Sequence, residues 1–100
     1  MKEVPKADVI ITNPTHYAIA LAYKSGMIAP QLVAKGQDLV AQRIKEIARE
    51  ARITIVENKP LARALYASVE VGDIVPQELY QAVAEVLAYV YRLKNQRRGA

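Results

Sequence analysis

Asparagine followed by proline closes one route of backbone chemistry and leaves its opposite open. The pair occurs here as Asn13-Pro14, followed by Thr15 and His16. At most asparagines the next residue's backbone nitrogen attacks the side-chain carbonyl, and the side chain deamidates. Proline has no N–H and its nitrogen is tertiary, so that route is unavailable at Asn13. The reverse attack remains: the Asn13 amide nitrogen attacks its own main-chain carbonyl carbon. A succinimide forms, the bond to Pro14 breaks, and the proton lost by the amide ends on the proline nitrogen.

A neutral amide is a poor nucleophile, so the reaction needs help from a fold. Holding the nitrogen in a near-attack position is one means. Donors aimed at the developing oxyanion are another, and twisting of the scissile peptide is a third. His16 is a residue type that serves as a proton relay, and Thr15 is able to orient the turn. Asn-Pro is also an ordinary turn signal at the end of a strand, and the dipeptide alone does not separate a turn from a cleavage site.

The surrounding elements must therefore end a strand at Asn13 and hold the next one nearby. Val9, Ile10 and Ile11 form a β-branched run that Pro14 stops. From Tyr17 to Tyr23, large residues (Tyr17, Ile19, Leu21, Tyr23) alternate with Ala18, Ala20 and Ala22, the pattern of a strand with two unlike faces. Residues 25–30 read as a loop, and 31–34 as a short strand ended by Lys35 and Gly36. Asp38 is the expected N-cap of a helix to about Ala51, with Val40, Ile44, Ile47 and Ala51 on its apolar face. Ile53 to Val56 reads as a strand. Pro60 suits the first turn of a short helix, Leu61 to about Ser68. Pro76 opens a longer helix with Leu79, Val83, Val86, Leu87 and Val90 as its stripe. Strands alternating with helices predict an α/β fold: a small central mixed sheet of about four strands, three to four helices around it, and Asn13 to His16 in a loop between two strands.

Composition removes several function classes. The chain of 100 residues has no cysteine and one histidine, which excludes disulfides, a thiol nucleophile and Cys- or His-rich metal sites. No metal or cofactor is expected. No apolar run approaches a membrane span and no signal peptide is visible, so the chain as given is expected to be soluble. The net charge of +4 comes from Arg92, Lys94, Arg97 and Arg98 near the end. They lack an aromatic stacking platform, so a solvated helix end is the simpler reading and nucleic acid is not an expected partner. The cations of the 38–51 helix likewise read as a solvated face. The expected organisation is a linker at 1–7, one domain at 8–94 and a basic flexible tail at 95–100.

Beyond the tetrapeptide, Val33-Ala34-Lys35-Gly36 with Asp38, Pro60-Leu61-Ala62-Arg63-Ala64-Leu65-Tyr66, Ile74-Val75-Pro76 and Ala82 to Val90 follow in order. Together with Ile11 to Ala18 these segments resemble the cytoplasmic domain of the FlhB/YscU family of bacterial type III secretion export-switch proteins. The likeness runs from about Val4 to Leu93, and its wording is closer to the flagellar branch than to the injectisome branch. Two departures, a slightly short loop at 24–29 and Lys59 where proline is common, leave the cleavage segment untouched.

The resemblance implies a self-cleaving switch that is not a turnover enzyme. Asn13 would be the nucleophile, Pro14 the scissile partner, and Thr15 and His16 auxiliaries. The cut would leave both pieces bound in one sheet and free the 14–16 loop. Export would then pass from rod and hook substrates to filament substrates, or from needle to effectors in an injectisome homologue. Implied partners are export gate components, a hook-length or needle-length control protein, and early export substrates, the last at an apolar patch of Ala29, Pro30, Ala84 and Leu87. Membrane contact would come only through an N-terminal part absent here, at the cytoplasmic face of the inner membrane. Read from the residues alone, Ala84 and Leu87 are equally well accounted for as core. A docking platform that never cleaves stands as the alternative.

Overall fold

The computed structural model describes residues 1–14 and 16–99, the last three by backbone alone. Strands β1 (Val9–Asn13), β2 (Tyr17–Ala22), β3 (Gln31–Gln37) and β4 (Ile55–Glu57) make one sheet in the order β3-β2-β1-β4. Helices α1 (Asp38–Glu50), α2 (Lys59–Ser68) and α3 (Tyr80–Gly99) cover it. β1 and β2 form an antiparallel hairpin, β2 and β3 are antiparallel, and β4 joins β1 in parallel after the crossover through α1. The mixed four-stranded sheet predicted from the sequence is what forms.

The alternation in β2 divides the core in two. Ile19 and Leu21, with Val9 and Ile11 of β1, pack against Leu61, Ala62 and Leu65 of α2 and Val83, Val86, Leu87 and Val90 of α3. Ala18 and Ala20 face the other way, with Ile10, and admit α1 through Ala41, Ile44 and Ala48. The predicted stripe of α3 is thus the buried one, with Leu79 at its margin.

The predicted face of α1 is buried only in part: Ile44 is fully buried and Ile47 packs against the same core. Val40 is 46% exposed and Ala51 lies on the surface, whereas Ala41 and Ala48 are buried. The helix turns its smallest residues to a sheet face lined with alanine, which lets the two backbones approach closely. Asp38 is also not the N-cap. Gln37 takes that place, without a side-chain bond, and Asp38 is the first helical residue with φ of 53°. Aspartate is among the few residues that tolerate this left-handed conformation.

β3 continues three residues past its expected end, because Gly36 pairs with Ala18 and Gln37 with Tyr17. Gly36 is required there: a Cβ would lie 2.3 Å from Val40 Cγ1 and 2.8 Å from Val40 Cβ. Gly36→Ala is expected to lower stability by about 1–3 kcal/mol, the usual cost of overpacking, measured by thermal melting. β4 begins at Ile55 rather than Ile53, since the chain first turns at Arg52 (φ 60°).

Both ends differ from expectation. Residues 1–7 hold a short 3-10 turn at Val4–Lys6, and Val4 is fully buried against α1's core, so this segment is more than a linker. At the other end, no proline or glycine interrupts residues 80–98, and α3 runs through the expected flexible tail to Gly99. The side chains of Arg97 and Arg98 lie outside the described residues. Among the described residues, no helix is long and apolar enough to cross a membrane.

Candidate functional site

The β1–β2 hairpin carries Asn13 and Pro14 at its tip. Asn13 is the last residue of β1, paired with Tyr17, and is only 6% exposed. Thr12 beside it is buried as well. One residue later Pro14 is exposed. The peptide bond between Asn13 and Pro14 therefore crosses from the packed sheet to the surface. Thr15 lies outside the described residues.

The carbonyl of Asn13, the atom group that cyclisation would attack, accepts a hydrogen bond from the His16 backbone N–H at 2.9 Å. That oxygen would become the oxyanion, so the turn supplies a donor at the place where negative charge would develop. His16 itself is exposed, and its ring centroid lies 6.1 Å from that of Tyr17. The backbone of His16 is thus the group brought to the scissile carbonyl.

Two contacts from α1 and one from α2 fix the hairpin tip. The Asp38 N–H donates to His16 O at 2.9 Å, which the left-handed start of α1 makes possible. Lys45 Nζ, about two turns further along, donates to Pro14 O at 3.1 Å. On the opposite side, the Asn58 N–H donates to Thr12 O at 2.9 Å, and the Asn58 side chain caps α2 by accepting from the Leu61 N–H at 3.2 Å. Asn58→Ala is expected to cost about 1 kcal/mol of stability through loss of this cap, read from a chemical denaturation curve. Neither Lys45 nor Asn58 was identified from the sequence. Lys45 reads there as part of a solvated face, and its contact with Pro14 depends on how α1 is rotated.

The second group of candidate residues also meets. Ala29, Pro30, Ala84 and Leu87 line one surface cavity of about 320 Å³. Leu87 is buried and belongs to the core, Ala29 is buried, and Ala84 is exposed, so the residues read as core and those read as patch form one surface. Tyr23, Ile28, Tyr80, Ala88 and Tyr91 complete it. Ile28 is 87% exposed at its rim. Burial raises the Tyr91 hydroxyl above its ordinary value of 10.0, and the nearby Asp8 carboxylate and Tyr23 push it the same way. Tyr91 therefore keeps its proton at neutral pH. Folding favours that protonated form, so the linked stability is present below pH 10 and is lost as pH rises through the raised value. The loop before the cavity is anchored by Asp8, whose carboxylate accepts from the Tyr23 N–H at 2.7 Å and from Lys24 Nζ at 3.0 Å. Among the described residues no cluster of His, Cys, Asp or Glu is arranged to hold a metal ion.

The family model described as the FlhB HrpN YscU SpaS family matches residues 1–90. The chain belongs to this family. Its likeness is to the flagellar branch. The chain is 59% identical over 96 residues to the flagellar biosynthetic protein FlhB of Bacillus subtilis, which covers 95% of the chain and 27% of the relative. It is 57% identical over 98 residues to FlhB of Salmonella typhimurium, covering 97% and 26%. The chain thus spans about a quarter of the length of these curated relatives. Among solved structures, the cytoplasmic domain of FlhB from Shewanella putrefaciens superimposes with a TM-score of 0.93 at 47% identity, covering 98% of this chain and 76% of that one. An asparagine-to-alanine variant of the EscU C-terminal domain gives 0.86 at 32% identity, covering 89% and 90%.

Proposed function

We propose that this domain is a self-cleaving switch of the flagellar type III export apparatus. It cuts its own backbone between Asn13 and Pro14 by asparagine cyclisation, and the cut controls the change from rod and hook substrates to filament substrates. The carrying observation is the Asn13 carbonyl, held at a buried strand end and already bonded to the His16 N–H. The reaction is a single turnover that consumes its site, so the domain is a switch and not an enzyme.

Each step follows from residues at the hairpin tip. The Asn13 side-chain nitrogen attacks the Asn13 main-chain carbon, and the oxyanion forms against the His16 N–H. The carbon–nitrogen bond to Pro14 then breaks and the proline nitrogen takes up the proton. Water later opens the succinimide to a free C-terminus at residue 13. With its covalent tie gone, Pro14 is held at the tip by Lys45 and by the bond from Asp38 to His16. Those contacts are weak enough for the loop to leave α1 and present a new surface to an export partner.

The location proposed is the cytoplasmic face of the inner membrane beneath the export gate, with early export substrates and a hook-length control protein as partners. The apolar cavity of Ala29, Pro30, Ala84 and Leu87 supports the substrate role, being an open, mostly apolar recess at the surface. The direct test of cleavage is the intact mass of the chain under denaturing conditions, with fragments 1–13 and 14–100 as the expected result. A single uncut chain after long incubation at neutral pH would leave a docking platform as the function.

The donor role of the His16 backbone gives a separate expectation. His16→Ala keeps the N–H and is expected to cleave at a modestly reduced rate. His16→Pro removes it and is expected to slow cleavage by roughly 10²–10³-fold, the usual effect of losing one oxyanion donor, followed by mass over time.

A further inference from the structure

We propose that Tyr66 is a positioning residue for Asn13, acting through Tyr17 and locked in place by Lys35. The proposal rests on cleavage at Asn13 and names residues that the cleavage segment does not contain.

Asn13 and Tyr17 are the last cross-strand pair of the β1–β2 hairpin, so their side chains share one face of the sheet. The Tyr17 ring stacks on the Tyr66 ring of α2, with centroids 4.6 Å apart and planes at 26°. Both rings pack on the larger core. Tyr66 is in turn held by Lys35. Its Nζ lies 4.9 Å from the Tyr66 ring centroid and donates to Tyr66 O at 2.8 Å and Val69 O at 2.9 Å. Those carbonyls sit at the end of α2, where a cation is favoured. A weaker ion pair to Glu70 at 3.8 Å completes the site.

The arrangement reaches Asn13 from both ends of α2. At its start, Asn58 holds the carbonyl of Thr12, next to Asn13. At its end, Lys35 and Tyr66 hold the ring opposite Asn13. Tyr17, the cross-strand neighbour of Asn13 on the same face, thus has its own freedom removed, and restriction of the Asn13 side chain is what a five-membered ring closure needs. A neutral amide gains most from restriction to the reactive rotamer, and a misplacement near 1 Å costs on the order of 10²-fold. A β-bulge makes this possible. The register shift beside Ala20 and Leu21 turns Lys35 to the α2 side, opposite Ile19.

The test is the time course of cleavage after cell-free synthesis of the chain, by denaturing mass. Tyr66→Ala and Tyr66→Leu are expected to cleave roughly 10- to 100-fold more slowly than wild type. Tyr66→Phe, which keeps a stackable ring, is expected to stay close to the wild-type rate. Lys35→Met is expected to fall between them. Tyr17→Ala combined with Tyr66→Ala is expected to be no slower than either alone, because the two act as one unit. Val86→Ala, a core change on α3, supplies the comparison: it lowers thermal stability and leaves the rate unchanged. A folded Tyr66→Leu chain cleaving as fast as wild type would overturn the proposal, as would an equal slowing in Val86→Ala. If the wild-type chain itself stays uncut, the cleavage reading fails and takes this one with it.

Discussion

Asn13→Ala is expected to give one uncut mass where the wild-type chain gives fragments 1–13 and 14–100. The effect is total because the substitution removes the nucleophile and leaves the fold standing. Asn13 is buried at the end of β1, and its backbone pairs with Tyr17 regardless of side chain. Its neighbours supply the rest of the machinery: a donor from His16, and anchors from Asp38, Lys45 and Asn58. None of these has a nucleophile within the same peptide unit. Asn13→Asp keeps the size but replaces the amide nitrogen, so it too is expected to remain whole at neutral pH. Pro14→Ala reverses the chemistry. It returns an ordinary secondary amide after Asn13, so attack on the side-chain carbonyl becomes available and a deamidated chain competes with the cut one. The three variants separate self-cleavage from a contaminating protease. A protease would cut Asn13→Ala at a comparable rate, and that result would rule out cyclisation.

The second large effect is on what holds the pieces together. After the cut, residues 1–13 are expected to remain bound to residues 14–100 under native conditions, eluting as one species of full-chain mass. β1 lies inside the sheet, hydrogen-bonded to β2 on one side and β4 on the other. Val4, Val9, Ile10 and Ile11 are all fully buried. Ile11→Ala deletes part of that anchor in the larger core, at a cost of about 2–5 kcal/mol. Converted at about 1.4 kcal/mol per tenfold, retention of the short piece falls by roughly 30- to 3,000-fold. The measurement is native against denaturing mass as temperature or denaturant rises, with Ile11→Ala releasing residues 1–13 well before wild type. Free peptide from the wild-type chain at room temperature would show that β1 is not retained and that the switch works by loss of a piece.

The separation between these two effects has a structural source. The bond proposed to be cut lies at a surface turn, and the strand expected to retain the fragment lies in the middle of the sheet. A cleavage near the centre of β1 would free both sides of an unpaired ladder. At Asn13 it removes one covalent bond and leaves the pairing from Val9 to Asn13 in place. The change expected from the cut is therefore confined to the loop that meets α1, where Leu39 is 78% exposed beside the Asp38 contact.

The sequence by itself determined the local parts. The β-branched run before Asn13 and the large–small alternation of residues 17–22 specified two strands and the identity of each face. Asn13-Pro14 specified which intramolecular attack was open. Pro60 placed the first turn of α2, which begins at Lys59 rather than Leu61, and the spacing of Val83, Val86, Leu87 and Val90 specified α3's buried stripe. All of these depend on one residue's stereochemistry or on a repeat within one element.

What spans elements was decided only by the tertiary structure. The rotation of α1 that buries Ala41 and Ala48 follows from the alanine-lined sheet face it meets, and it carries Lys45 to Pro14. The bulge in β3 puts Leu32 and Ala34 on opposite sides of the sheet, two residues apart, where strict alternation would put them on one. It also turns Lys35 toward α2. Loop residues Ala29 and Pro30 meet Ala84 and Leu87 across more than fifty positions of chain, and no periodicity in either segment indicates the other. Register shifts, helix rotations and such meetings are chosen by which packing removes most apolar surface without leaving a polar group unpaired, a sum over the whole molecule that no local stretch contains.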